Sequence, residues 1–297
     1  MAVRRVAASR ETAHRIALTG NAVSSATKPA DLDHQLVFKT SNGRALLGHV
    51  PRSVRIHGRQ KRASIRRPRN DVGQYDDLVH EWWRPGGAFA ALHWLAASRR
   101  ALIPAPLTAT ELLVDVGCGA GLMADAALGY LHVGLDLVTT GLDQATLHGV
   151  HAVRADAAHL PISSNSASVV LAGEILEHVH NLEEVVAEVC RVLRPGGTVV
   201  IDTINDTKLA KFLMVTIAER LPGGPPRGIH DPRLFVDPIR LQQLFAAGGV
   251  NLAVWGLRPS AFDYLRFLLN RERLVRMLHT KSTALVYQGV GKKQGAQ

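Results

Sequence analysis

The chain has 297 residues, 46% of them hydrophobic, which is enough for one large domain with a substantial core, or one domain plus tails. No apolar run approaches the ~18 residues of a membrane span. The formal charge of +10 sits in residues 1–70, with 15 Lys and Arg against 3 Asp and Glu; the rest has 20 against 22 and offers no basic stripe for nucleic acid.

Residues 1–70 are rich in Arg and Ser and lack sustained periodicity, and 52–69 is their most basic part. A disordered tail, an organelle transit peptide and a basic arm for nucleic acid or anionic lipid compete as readings, with disorder favoured. The domain is expected to begin at Asp71. Residues 75–104 then read as cap helices, broken at Pro85-Gly86-Gly87, and Trp82, Trp83, Phe89 and Trp94 fall in front of the first strand. Such a segment can cover a site and keep water out. Cys118 and Cys190 suggest reduced thiols in a cytoplasmic protein.

The first strand, Leu112–Val116, carries Asp115 and stops at Gly117, Gly119 and Gly121, after which Leu122-Met123-Ala124 restarts as a helix. A second strand over 131–135 ends on Asp136, where open α/β sheets bind a ribose, and a carboxylate there accepts from both hydroxyls. The third strand, His151–Arg154, leads to Asp156, which can accept from an adenine amino group while the Ala157 N–H serves a ring nitrogen; a helix cap at Asp156 is compatible with that. The fourth strand, 168–172, runs into Gly173. Beyond it Glu174, Glu177 and His178 stand at i, i+3 and i+4, so a helix there would present two carboxylates and an imidazole on one face. That set can hold Mg²⁺, with waters completing the shell.

A helix capped by Asn181 and a fifth strand over 198–202 follow. Helix 208–221 alternates basic residues with Leu, Phe and Met, which suits either a capping helix or a peripheral membrane contact. Residues 206–232 and 261–278 read as insertions, the second helical, with a helix at 241–247 and strands at 252–257 and 283–289.

Dinucleotide enzymes use G-x-G-x-x-G. Here the pattern is D-x-G-x-G-x-G, and its leading acid would repel a pyrophosphate but suit the α-amino group of a methionine moiety. With D-A-x-x-L-P after the third strand and L-R-P-G-G before the fifth, the chain resembles the class I S-adenosylmethionine-dependent methyltransferases. More narrowly, WW-x-P-x-G-x-F-x-x-LH, E-x-x-E-H and G-x-H-D make residues 75–259 similar to the ubiquinone-biosynthesis O-methyltransferase family. The chain departs from that family over 94–97, and at Gly173 where the family has a larger residue.

The resemblance implies a single α/β domain, a doubly wound seven-stranded Rossmann-like sheet with an antiparallel last strand, and S-adenosylmethionine as cofactor. Arg99 matches an arginine at the cofactor's carboxylate, and Gly117 and Asp136 match family contacts. With Asp115, Gly119, Gly121, Asp156, Ala157 and Gly173 they form the expected cofactor set. Glu174, Glu177 and His178 match a proposed metal site, and His178 and His230 are the candidate bases, although His178 can fill only one role at a time. The expected reaction is methylation of a hydroxyl on a small-molecule acceptor, a phenolic quinone-type precursor. The alternatives are a sugar hydroxyl on a mycofactocin-type oligosaccharide and a non-catalytic protein that binds S-adenosylmethionine.

Overall fold

The computed structural model describes residues 38–39, 45–46 and 67–295. Contacts divide the chain into residues 1–61 and 62–297. In the first unit the described residues are two short antiparallel strands, Phe38–Lys39 and Ala45–Leu46; the reading of disorder elsewhere in 1–66 lies outside the described residues.

In the second unit the strands are β1 (Leu112–Val116), β2 (Leu131–Asp136), β3 (His151–Arg154), β4 (Ala167–Gly173), β5 (Leu193–Ile204), β6 (Val250–Pro259), β7 (Met277–Thr280) and β8 (Val286–Lys293), and the α-helices are α1 (Gly73–Asp77), α2 (Ala90–Arg100), α3 (Thr139–Leu147), α4 (Leu182–Val192), α5 (Lys208–Phe212), α6 (Pro238–Ala247) and α7 (Ala261–Leu269). They form one sheet in the order β3-β2-β1-β4-β5-β8-β6-β7. The first five run parallel, and β8 inserts antiparallel between β5 and β6. Strand order reverses beside β1, so a crevice opens at the carboxyl ends of β1 and β4, where doubly wound sheets take their ligands.

The central strands are continuous apolar runs because parallel strands are covered on both faces. Val114, Val170 and Ile201 pack under helices α4 (Leu182–Val192) and α6 (Pro238–Ala247). Their neighbours Leu113, Val169 and Val200 face the other way and pack with Ala96 of helix α2 (Ala90–Arg100). Among the described residues no helix is long and apolar enough to cross a membrane.

Three expectations change. The sheet has eight strands: segment 261–278 is not helical throughout, since helix α7 (Ala261–Leu269) ends and the chain returns as β7 to cover the edge of β6. Residues 277–280, Met-Leu-His-Thr, do not alternate apolar and polar, so no strand period marks them in the sequence. Helix 208–221 is a short α-helix, Lys208–Phe212, followed by a π turn and a 3₁₀ turn.

The boundary at Asp71 also falls too late. Arg69 Nη1 donates to Glu219 Oε1 at 2.8 Å and to the His230 carbonyl at 2.9 Å, and Asn70 N donates to Gly228 O at 3.1 Å. Residues 67–70 are therefore a docked strap, made by long-range polar bonds that no periodicity announces. The Glu219 side chain is only 2% exposed, so it depends on that guanidinium. Arg69→Ala should accordingly destabilise the fold by about 1–3 kcal/mol in denaturant unfolding. An unchanged midpoint would put the domain boundary back at residue 71.

Candidate active site

The loop after β1 is anchored to β2: Gly117 N and Cys118 N both donate to Leu135 O, at 2.8 and 3.1 Å. Gly117, Gly119 and Gly121 all have positive φ, +71°, +52° and +78°. At Gly119 space matters too, because a Cβ there would stand 2.5 Å from the Trp82 ring. Trp82 stacks on Phe89 with centroids 4.2 Å apart, which makes an aromatic cover over the loop.

Asp136 accepts from Gly119 N and Val138 N, each at 2.9 Å, and burial raises its carboxyl above the usual range. Each oxygen keeps a lone pair for a ligand. Asp115 is buried, with Oδ2 unpartnered and 3.6 Å from His132 Nε2. Asp156 accepts from Ala158 N at 2.9 Å, so it ties its own turn while facing the cavity.

Arg99, on α2, puts Nε 2.6 Å from Asp202 Oδ2, and both residues are buried. Burial pulls the guanidinium pKa down, and the charge and hydrogen bond of Asp202 outweigh that, so it stays above its ordinary value. A Cβ on residue 173 would lie 2.1 Å from the guanidinium carbon. Gly173 thus leaves the room in which the guanidinium lies, and a side chain there would move it.

The E-x-x-E-H stretch is not a helix, and this corrects the expected common face of Glu174, Glu177 and His178. Glu174 takes a left-handed conformation, φ +55°, its N–H donates to Asp202 O at 2.9 Å, and only Leu176–His178 forms a 3₁₀ turn. The group whose ligand atoms lie within 4.8 Å of one another is Glu177, His178 and His230. Glu174 stands outside it. Glu177 accepts from Thr203 Oγ1 at 2.7 Å, while its Oε1 and His230 Nδ1 are buried without partners.

His178 and His230 stack with centroids 5.2 Å apart. Burial lowers the His178 pKa to about 4 and takes His230 well below its usual value, with His178 and Arg69 adding to the latter. Both imidazoles are therefore neutral at neutral pH. Burial also raises both glutamates, Glu174 further because it faces Glu177 and Asp202.

A cavity of about 440 Å³ joins these parts. Its polar end holds Arg99, Asp115, Gly117, Gly119, Asp136, Asp156, Ala157 and Gly173; Glu174, His178 and His230 lie along the wall, and Met214, Leu221, Ile229, Tyr264, Met277 and Val286 line the apolar end. Gly121 is not part of it. It packs against Ala145 and Val150, so it shapes the turn without facing a ligand. Sequence reading missed Asn70, Asp202 and Tyr264. A buried acid inside the apolar fifth strand was the one available signal, at Asp202.

The match to known families falls on this part of the chain: residues 114–201 fit the model described as a methyltransferase domain. A ubiquinone biosynthesis O-methyltransferase from Cupriavidus pinatubonensis is 33% identical over 195 residues, covering 61% of this chain and 77% of the relative. One from Burkholderia thailandensis is 33% identical, covering 62% and 83%. Among solved structures, a Thermotoga maritima protein described as an S-adenosylmethionine-dependent methyltransferase, possible histamine N-methyltransferase, aligns with a TM-score of 0.53 at 17% identity, over 75% of this chain and 96% of that one. At that identity the likeness speaks for the fold alone. The chain belongs to the S-adenosylmethionine-dependent methyltransferases, in the family of the ubiquinone biosynthesis O-methyltransferases.

Proposed function

We propose that this protein methylates a hydroxyl of a phenol-type acceptor that carries an apolar substituent. The observation behind this reading is the neutral His178–His230 pair between a polar, glycine-loop end and an apolar end of one cavity. Methionine and ribose groups of the cofactor suit the polar end, with Arg99 at the carboxylate and Asp136 at the ribose. An oligosaccharide fits the other end poorly, since its hydroxyls would be buried against Met214, Leu221, Ile229 and Met277 without partners.

In the transfer the acceptor oxygen attacks the methyl carbon in line with the carbon–sulfur bond. That bond breaks with both electrons going to sulfur, and S-adenosylhomocysteine leaves. With no cation on His178, the hydroxyl proton passes to its Nε2, and Tyr75, Trp82 and Phe89 keep water from the sulfonium.

Glu177, His178 and His230 would hold a divalent cation, and the unpartnered Glu177 Oε1 and His230 Nδ1 fit such a role. Two imidazoles and one carboxylate suit Zn²⁺ or Mn²⁺ better than Mg²⁺. When bound, the cation would act as a Lewis acid that eases loss of the hydroxyl proton. Leu221 lines the cavity and is exposed, and Phe212, Leu265 and Leu269 of the segments that supply its apolar residues are exposed too, which suits contact with a bilayer that stores a tailed phenol.

Asp136→Ala should weaken S-adenosylmethionine binding by about 1–3 kcal/mol in calorimetry, and Asp136→Asn, which keeps an acceptor for Gly119, should lose less. Turnover of a catechol with a prenyl tail should exceed that of a free oligosaccharide and rise when the phenol is supplied in anionic vesicles; preference for the sugar would overturn the acceptor reading. His178→Ala should lower kcat by about 10²-fold or more while leaving cofactor affinity intact. With EDTA, loss of activity restored by Zn²⁺ or Mn²⁺ would establish the cation, and full turnover would leave His178 as a plain base.

A further inference from the structure

Asn70 meets residue 178 at two points. Its Nδ2 donates to the His178 carbonyl at 2.9 Å, and its Oδ1 lies 2.6 Å from His178 Nδ1. A carbonyl only accepts, so the amide must turn its NH₂ toward it, and the oxygen is then left facing the ring. An oxygen facing a ring nitrogen at that distance requires the nitrogen to carry the proton. A neutral imidazole holds one proton, so Nε2 keeps its lone pair. Tyr75 Oη lies 3.4 Å from that Nε2, on the cavity wall.

The strap that delivers Asn70 is itself held. Asn70 N bonds Gly228 O, and Arg69 bonds the His230 carbonyl and Glu219. Asn70 sits in the left-handed region, φ +59°, which asparagine tolerates better than most residues. One short segment thus ties the His178 turn to the loop that carries His230.

We propose that Asn70 is a positioning residue that holds His178 as its Nδ1–H tautomer and presents the Nε2 lone pair to the cavity. The proposal rests on the part given to His178 in methyl transfer, because either a proton acceptor or a metal ligand needs that lone pair. It lies outside the matched methyltransferase segment, in residues that precede the sheet.

Asn70→Gly removes the side chain yet accepts the positive φ without strain, so the fold is kept. Asn70→Asp keeps an acceptor for Nδ1–H. The test is ¹⁵N NMR of the full chain with chelator present, so that no cation sets the tautomer, with the His178 signals assigned by their absence in His178→Gln. The wild type and Asn70→Asp should show a protonated Nδ1, and Asn70→Gly should show a mixture of tautomers. In turnover, Asn70→Gly should lose tenfold or more in kcat with the KM for S-adenosylmethionine within twofold, and Asn70→Asp should recover part of the loss. A wild-type spectrum with Nε2 protonated, or a spectrum unchanged in Asn70→Gly, would overturn the geometry. A changed tautomer with unchanged kcat would overturn the catalytic part and, with it, the role given to His178.

Discussion

Arg99 and Asp202 form a buried ion pair between the cap and the sheet. Taking two charges out of water costs several kcal/mol each, and such a pair holds only when geometry and further hydrogen bonds compensate. Here the arginine comes from α2 and the aspartate from β5, and Gly173 at the end of β4 leaves the space between them. The same aspartate accepts from Glu174 through its backbone carbonyl and from Gln288 of β8 through its side chain, at 3.4 Å. One residue, through its carboxylate and its backbone carbonyl, therefore joins the cap helix, the left-handed turn at Glu174 and the antiparallel strand.

Two kinds of support divide the site. The glycine-loop end stands on the carboxyl edges of β1, β2, β3 and β4, which the core packs from both faces. The histidine pair stands on loops, His178 in a single 3₁₀ turn and His230 in the stretch after Pro226. Loops position side chains well only when something else holds them, and here the strap at 67–70 does so. The apolar end comes from the 206–232 and 261–278 segments and from Val286 at the start of β8, beyond the matched domain at 114–201. The glycine-loop end thus rests on the parallel half of the sheet, and the apolar end rests on segments that follow it in the chain.

What the residues determine by themselves is local. Continuous apolar runs make parallel strands, glycines with positive φ end β1, and acids at strand ends mark the crevice, so the sheet and the cofactor edge were legible from neighbouring residues alone. Spacing did not reveal that Glu174 leaves its helix register, that Gly121 turns away from the cavity, or that β7 closes the edge. Nor did it join Asn70, His178 and His230, which are 108 and 52 positions apart in the chain. Those outcomes depend on which distant backbone groups meet once the loops close, an arrangement decided by tertiary hydrogen bonds and buried charge. The sequence alone decided the parallel sheet and the glycine loop at its edge; only the folded structure decided which side chains line the cavity beside that loop, because those contacts join residues far apart in the chain.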